Sequence, residues 1–251
     1  MANNGVSQPP CLILETVDST NAYLKEWMAR EALEEGTVVA ARQQTAGRGQ
    51  MGTSWESQPG ENLTFSLVLF PSFLPFAENF LISQLVALGI KDVLDCYTND
   101  ITVKWPNDIY WQDKKLAGIL VENAVQGTTF QSSVVGIGLN VNQEKFYSNA
   151  ANPVSIKQIT GTTINLEKLL QQLLSGIFYY YDRIRGEDER WAVRQTYLQS
   201  LYRKNGYHRY SDASEEFKAR IFDVEKSGHI VLEDEAGEWR RYGFKEIKLM
   251  L

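Results

Sequence analysis

Cysteine and histidine are scarce here, with two of each in 251 residues. Cys11 and Cys96 make neither a disulfide framework nor a metal knuckle. Adding His208 and His229 still leaves too few ligands for a typical structural zinc site. Neither a G-x-S-x-G elbow nor a G-x-x-x-x-G-K-[ST] loop occurs. Both histidines lie away from every glycine-rich stretch, so a Ser–His or Cys–His nucleophile has no support. Positive charge is short as well. Lys plus Arg is 25 against 31 Asp plus Glu, a formal net charge of −6, which argues against a nucleic-acid partner. The apolar run from Asn62 to Ala77 is broken by Pro71 and Pro75, short of the ~20 mostly apolar residues a membrane span needs. Met1 to Pro10 is polar, without the basic and apolar regions of a secretory signal, so a cytoplasmic protein is expected.

What is present fits a soluble globular chain: 43% hydrophobic, 22% charged and 12% aromatic residues. At ~100–200 residues per domain, one large domain or a large and a small one is expected. A flexible tail over 1–10 precedes Cys11. Asp18-Ser19-Thr20 opens a helical pattern carrying Tyr23, Leu24, Trp27, Met28 and Leu33. Thr37 to Ala41 and Leu63 to Phe70 read as strands, Phe76 to Tyr97 as a helix with Phe80, Leu81, Leu85, Leu88 and Val93 on one side. Ile101 to Trp111 and Leu116 to Val125 read as two strands joined at Gln112 to Lys115, and Phe130 to Val141 as another. Helices are expected at Leu166 to Arg185 and Arg190 to Tyr202. Beyond Glu216, strands at Phe217 to Val224, His229 to Glu233 and Trp239 to Leu249 alternate with Ser227-Gly228 and Ala236-Gly237 turns, the pattern of a small β-barrel. The fold class is α/β (α+β), a mixed sheet with helices over 11–204 plus a C-terminal β module over 205–251.

Several stretches carry chemistry. Gly47-Arg48-Gly49-Gln50-Met51-Gly52 matches G-x-G-x-x-G, but the residues after it, Ser54 to Gly60, do not open a helix, so the dinucleotide reading fails. A glycine loop between strands still wraps an anion, with Arg48 as a planar fork for phosphate or carboxylate. A mobile hairpin loop explains the same residues equally well. In Lys104-Trp105-Pro106-Asn107-Asp108, proline favours an extended Trp105 and a turn after it, and a structural kink is the plainer explanation. A hairpin turning near Asp113 puts Lys104 opposite Glu122, a cross-strand ion pair. Lys114-Lys115 reads as a solvated turn. Ala117 and Gly118 after it, and the alternating glycines of Gly136-Ile137-Gly138-Leu139-Asn140, indicate close approach by a ligand or a neighbouring strand. Ser19-Thr20-Asn21 by itself is a helix N-cap. Glycine loops, an arginine, lysines and amides suit charge stabilisation at a phosphorus centre where the substrate supplies the nucleophile.

In this order, Ser19-Thr20-Asn21, Gln44 to Gly52 with Trp55, Lys104 to Asp108, Lys115 to Leu120 and Gly136 to Val141 resemble the biotin–protein ligase (biotin–[acetyl-CoA-carboxylase] ligase) family. The resemblance covers roughly Leu14 to Asn142 and is weaker over the C-terminal module. It implies a class II synthetase-like catalytic domain and an SH3-like C-terminal domain, in the monofunctional type without an N-terminal helix-turn-helix. It implies ATP, Mg2+ and biotin as ligands. Biotin becomes biotinyl-5′-AMP, and then passes to a lysine of a biotin carboxyl carrier domain of acetyl-CoA carboxylase. It further implies catalytic roles for Lys115, Arg48 and Asp108, the last positioning metal or phosphate. Biotin would contact Ser19, Thr20, Asn21, Gln44, Gly47, Arg48, Gly49, Gln50, Lys115, Gly118 and Gly138. ATP would contact Arg48, Trp55, Lys104, Asn107, Lys115 and Asn140. Family dimers use an edge strand, so a homodimer is compatible with it. Neither nucleic acid nor membrane is expected as partner. Two residues depart from the pattern: Gln50 stands where many members have arginine, and Thr53 where others have a second one, which removes positive charge from the loop. A lipoate–protein ligase or lipoyl transferase of related fold, and a non-catalytic biotin-binding regulator, are the competing readings.

Overall fold

The computed structural model describes residues 10–147 and 152–250; the tail expected over 1–10 lies, apart from Pro10, outside the described residues. The first strand, β1 (Cys11–Val17), is one the sequence did not announce, because its inward and outward positions carry no apolar alternation. Helix α1 (Thr20–Arg30) follows, with Ser19 as its N-cap, and then β2 (Val38–Gln44). The glycine stretch and a single 3-10 turn at Gln50–Gly52 lead to β3 (Leu63–Leu69), every position of which is buried. Such a strand, covered on both faces, reads as a continuous apolar run.

Helix α2 (Phe80–Leu94) is shorter than the expected 76–97, since Phe76–Glu78 forms a 3-10 turn. It is buried nearly all round rather than along one stripe. The expected strand over 101–111 is two strands, β4 (Ile101–Lys104) and β5 (Asp108–Trp111), folded back at Trp105 to Asn107. Next come β6 (Lys114–Gln126) and β7 (Thr129–Leu139), then a short α3 (Ile156–Thr160), α4 (Leu166–Arg183) and α5 (Glu187–Gln199). The sheet runs β1-β2-β3-β7-β6-β5-β4, with β1 and β2 parallel and the other neighbours antiparallel. On one face α1 packs Leu24 against Val39, Val68 and Val134. The other face carries the large core with α2 and α4, whose axes approach at Gly89 and Gly176. A β-carbon at Gly89 would lie 2.7 Å from the Ile177 backbone nitrogen.

The C-terminal residues form a second antiparallel sheet, β8 (His208–Ser211), β9 (Glu216–Val224), β10 (Ile230–Asp234), β11 (Trp239–Tyr242) and β12 (Lys248–Leu249), in the order β11-β10-β9-β8-β12. The expected last strand over 239–249 is thus two strands separated by a turn. Ala219, Ile221, Ile230 and Leu232 of this sheet belong to the same apolar core as the large domain. Glu78, only 7% exposed, receives hydrogen bonds from Arg194 on α5 and from Lys226 in the β9–β10 turn, so a buried carboxylate ties the C-terminal sheet to α5 and the turn before α2.

Candidate functional site

The N-terminus of α1, the end of β2, the glycine loop, the β5–β6 hairpin and the C-terminal end of β7 converge on one cavity of about 280 Å³. That is near the lower end of the ~300–1,000 Å³ usual for small-ligand sites. At one end the lining is neutral and polar. Gln44 Oε1 accepts from the backbone N–H of Thr20 at 2.8 Å and from its hydroxyl at 3.1 Å. Ser66, fully buried in β3, sits 2.7 Å from Thr20 Oγ1 and 2.6 Å from Asn21 Oδ1. Asn21 Nδ2 donates to Glu122 at 2.7 Å, and Lys25 pairs with the other oxygen of that carboxylate. Burial pushes the Glu122 carboxyl up, but these two donors outweigh it and leave it below the ordinary range.

The other end is cationic. Lys115 enters at the start of β6, where the register with β5 shifts between Ile109 and Tyr110. Bulges of this kind re-aim side chains beside functional sites. Its Nζ lies 2.7 Å from Asp108 Oδ1 and 5.8 Å from the centre of the Trp55 ring. Arg48 and Lys245 also line the space, whereas Asp108 is the one carboxylate among the described residues that do. A positive cavity in a chain of net charge −6 suits an anionic ligand. Among the described residues no cluster of three or more His, Cys, Asp or Glu is placed to hold a metal by itself. One carboxylate is nevertheless sufficient for magnesium, which keeps waters and phosphate oxygens for most of its shell.

Glycines on the sheet explain the room. A β-carbon at Gly136 would lie 2.9 Å from Asn21 Cγ, and one at Gly138 2.6 Å from Trp55 Nε1. The Trp55 indole occupies the space over Gly138 and reaches Gly118, and its Nε1 is buried without a hydrogen-bond partner among the described residues. The loop is pinched onto itself: Gly49 N–H donates to Thr53 O at 2.6 Å and Trp55 N–H to Gly47 O at 3.0 Å.

Ser19, Thr20, Asn21, Gln44, Arg48, Gly49, Gln50, Trp55, Asn107, Asp108, Lys115, Gly118 and Gly138 are therefore brought together around one space. Three expected residues stand outside it. Gly47 is buried beneath the Trp55 carbonyl, so it shapes the loop rather than the lining. Asn140 is buried and donates to Val154 O at 3.2 Å, holding β7 to the segment before α3. Lys104 lies 3.1 Å from the Tyr110 hydroxyl and over its ring, and burial pushes its ammonium pKa down. It is opposite Asp108, not Glu122, because the chain folds back at Pro106 before the hairpin at Asp113 begins. Asn107 lines the cavity, yet its amide is bonded to Ile119 O and so holds the turn to β6. Ser66 and Lys245 were not singled out from sequence: one is hidden in an apolar run, the other in the C-terminal module.

Comparison with known proteins shows the family and the fold. The biotin/lipoate A/B protein ligase family matches residues 13–140. The chain is 34% identical over 167 residues to the bifunctional ligase/repressor BirA of Bacillus spizizenii, covering 65% of this chain and 51% of that protein. It is likewise 34% identical over 168 residues to the biotin–[acetyl-CoA-carboxylase] ligase of Paracoccus denitrificans, covering 64% and 68%. The chain thus spans about half the length of the BirA relative and two thirds of the other. Among solved structures, the Aquifex aeolicus biotin protein ligase in complex with biotin and ATP superposes with a TM-score of 0.79 at 25% identity, covering 96% of this chain and 98% of that one. With the family match spanning half of the sequence and the fold shared along nearly all of it, the chain belongs to the biotin/lipoate A/B protein ligase family.

Proposed function

We propose that this chain is an ATP-dependent biotin ligase. It activates biotin as biotinyl-5′-AMP and transfers it to a lysine of a biotin carboxyl carrier domain. The observation that carries the reading is the polarity of the cavity, neutral donors and acceptors at the Thr20–Gln44 end and cations at the Lys115–Arg48 end. A ureido ring asks for the former, and a carboxylate facing a phosphate asks for the latter.

In the first step a biotin carboxylate oxygen attacks the α-phosphorus of ATP, the α–β bridging P–O bond breaks and pyrophosphate leaves. Two anions must meet. Lys115 and Arg48 offset their repulsion, and act catalytically to the extent that they hold the developing charge more tightly than the separate substrates. Asp108 orients the Lys115 ammonium at 2.7 Å. It is also the side chain to hold magnesium, which, arriving with ATP, would neutralise phosphate charge. In the second step a neutral carrier lysine attacks the mixed-anhydride carbonyl, AMP leaves with the bonding electron pair, and the amine nitrogen releases a proton to solvent as the amide forms.

The name of the 34%-identical Paracoccus denitrificans relative favours biotin over lipoate, and the cations lining the cavity favour an enzyme over a silent biotin-binding regulator. A cytoplasmic location suits a carrier-modifying enzyme, and no helix among the described residues is long and apolar enough to cross a membrane. Incubating the protein with ATP, an apo carrier domain and either biotin or lipoate tests the reading. A biotin-sized mass increment on one carrier lysine is expected. A lipoyl increment instead, or none with either acid, overturns it.

A further inference from the structure

The geometry points to Lys245 as a further phosphate-positioning residue of this site, supplied by the C-terminal sheet to replace the charge that the glycine loop lacks. The inference rests on the ligase reading. Gln50 and Thr53 both line the cavity, and neither carries a charge. The Thr53 hydroxyl is turned back onto Gln50 O at 2.9 Å. Lys245 lines the same cavity, although it lies far along the chain from the loop.

Its delivery is built into the fold. Phe244 packs 5.4 Å from the Trp105 ring and 5.9 Å from the Phe80 ring, and Trp105 Nε1 donates to Gly228 O at 2.9 Å. Trp105 leads directly into Pro106, Asn107 and Asp108 of the cavity wall. The segment that anchors the C-terminal sheet is thus continuous with the site, and Lys245, next to Phe244, lines the same cavity as Asp108 and Lys115. The turn is closed by Gly243 N–H donating to the Glu246 carboxylate at 2.5 Å. Within it Lys245 has φ 67°, the left-handed region that favours glycine. Glycine would relieve that strain and forfeit the ammonium. A side chain kept at a strained position beside a cavity is the pattern of a functional residue.

The test compares wild type, Lys245→Gly, Lys245→Ala and Lys245→Gly combined with Gln50→Arg. The readouts are biotinyl-AMP dissociation, biotin affinity and melting temperature. Lys245→Gly is expected to release the adenylate about tenfold faster, the scale of one partly screened charge-assisted hydrogen bond. Biotin affinity should stay within about twofold, because biotin brings no phosphate, and the melting temperature should hold or rise as the strain is relieved. Lys245→Ala should release it equally fast, and Gln50→Arg should restore slow release by returning the charge to the loop. Unchanged release in both single variants would overturn the role of Lys245 while leaving the ligase reading intact. A parallel loss of biotin affinity would overturn it too, in favour of a structural role. A wild-type protein that forms no adenylate would overturn both.

Discussion

Trp55 rests on Gly138 so closely that a β-carbon at position 138 would come within 2.6 Å of the indole Nε1. The strand and the loop are fitted to each other at that point. Gly138→Ala should push the indole off the sheet and unseat the loop that bears Arg48. Overpacking of this kind costs about 1–3 kcal/mol. Calorimetric titration should show biotin binding at least tenfold weaker in the variant. Wild-type affinity would mean that the Trp55–Gly138 contact does not shape the ligand space.

Residues 46–52 should exchange their amide hydrogens more slowly once biotin is bound. The free loop is held by its own pinch, Gly49 to Thr53 and Trp55 to Gly47, and buries the Trp55 Nε1 donor without a partner among the described residues. An unpartnered buried donor costs about 1–3 kcal/mol. A ligand that offers contacts to this segment lowers the population of its open forms. Hydrogen exchange read by mass spectrometry on peptides covering 46–55 checks this, and equal rates with and without biotin would contradict it.

Acid should loosen the attachment of the C-terminal sheet to α5 through Glu78. Burial raises the pKa of its carboxyl, yet the hydrogen bonds from Lys226 and Arg194 prevail and hold it below the ordinary value. A carboxyl with a lowered folded value contributes stability that is complete above its unfolded pKa of about 4.3 and lost as pH falls through the folded one. Glu78→Gln removes the ionised partner of Arg194 and Lys226, and should cost about 3 kcal/mol at neutral pH. Its melting temperature should then depend less on pH below about 4.5 than that of wild type. Matching acid limbs in the two proteins would show that Glu78 does not couple the C-terminal sheet to α5.

The parts of this molecule legible in its sequence are those whose signal is local. Ser19, Thr20 and Asn21 mark a helix start by chemistry alone, and the helix puts them beside Gln44. The glycines at 136 and 138 weaken a strand enough to require close neighbours, and Asn21 and Trp55 are those neighbours. Strand β1 was not legible because it lies at the sheet edge with exposed and half-buried positions intermixed. Turn chemistry at Pro106-Asn107-Asp108 marked a kink there, but not that the chain folds fully back to pair Lys104 with Asp108. Ser66 is invisible because its partners, Thr20 and Asn21, are remote in sequence. Lys245 depends on the docking of Phe244 against Trp105 and Phe80, which no local pattern encodes.

Exchange of labelled pyrophosphate into ATP, in the presence of biotin and no carrier, isolates the first step and tests the account most directly. Wild type should exchange only when biotin is added, and lipoate should not replace it. Lys115→Ala should lower the rate by about 10²–10³, as loss of one preorganised charge at a developing oxyanion does, with the melting temperature little changed. Exchange without biotin, exchange driven by lipoate, or a Lys115→Ala rate within a few-fold of wild type would contradict the assignment.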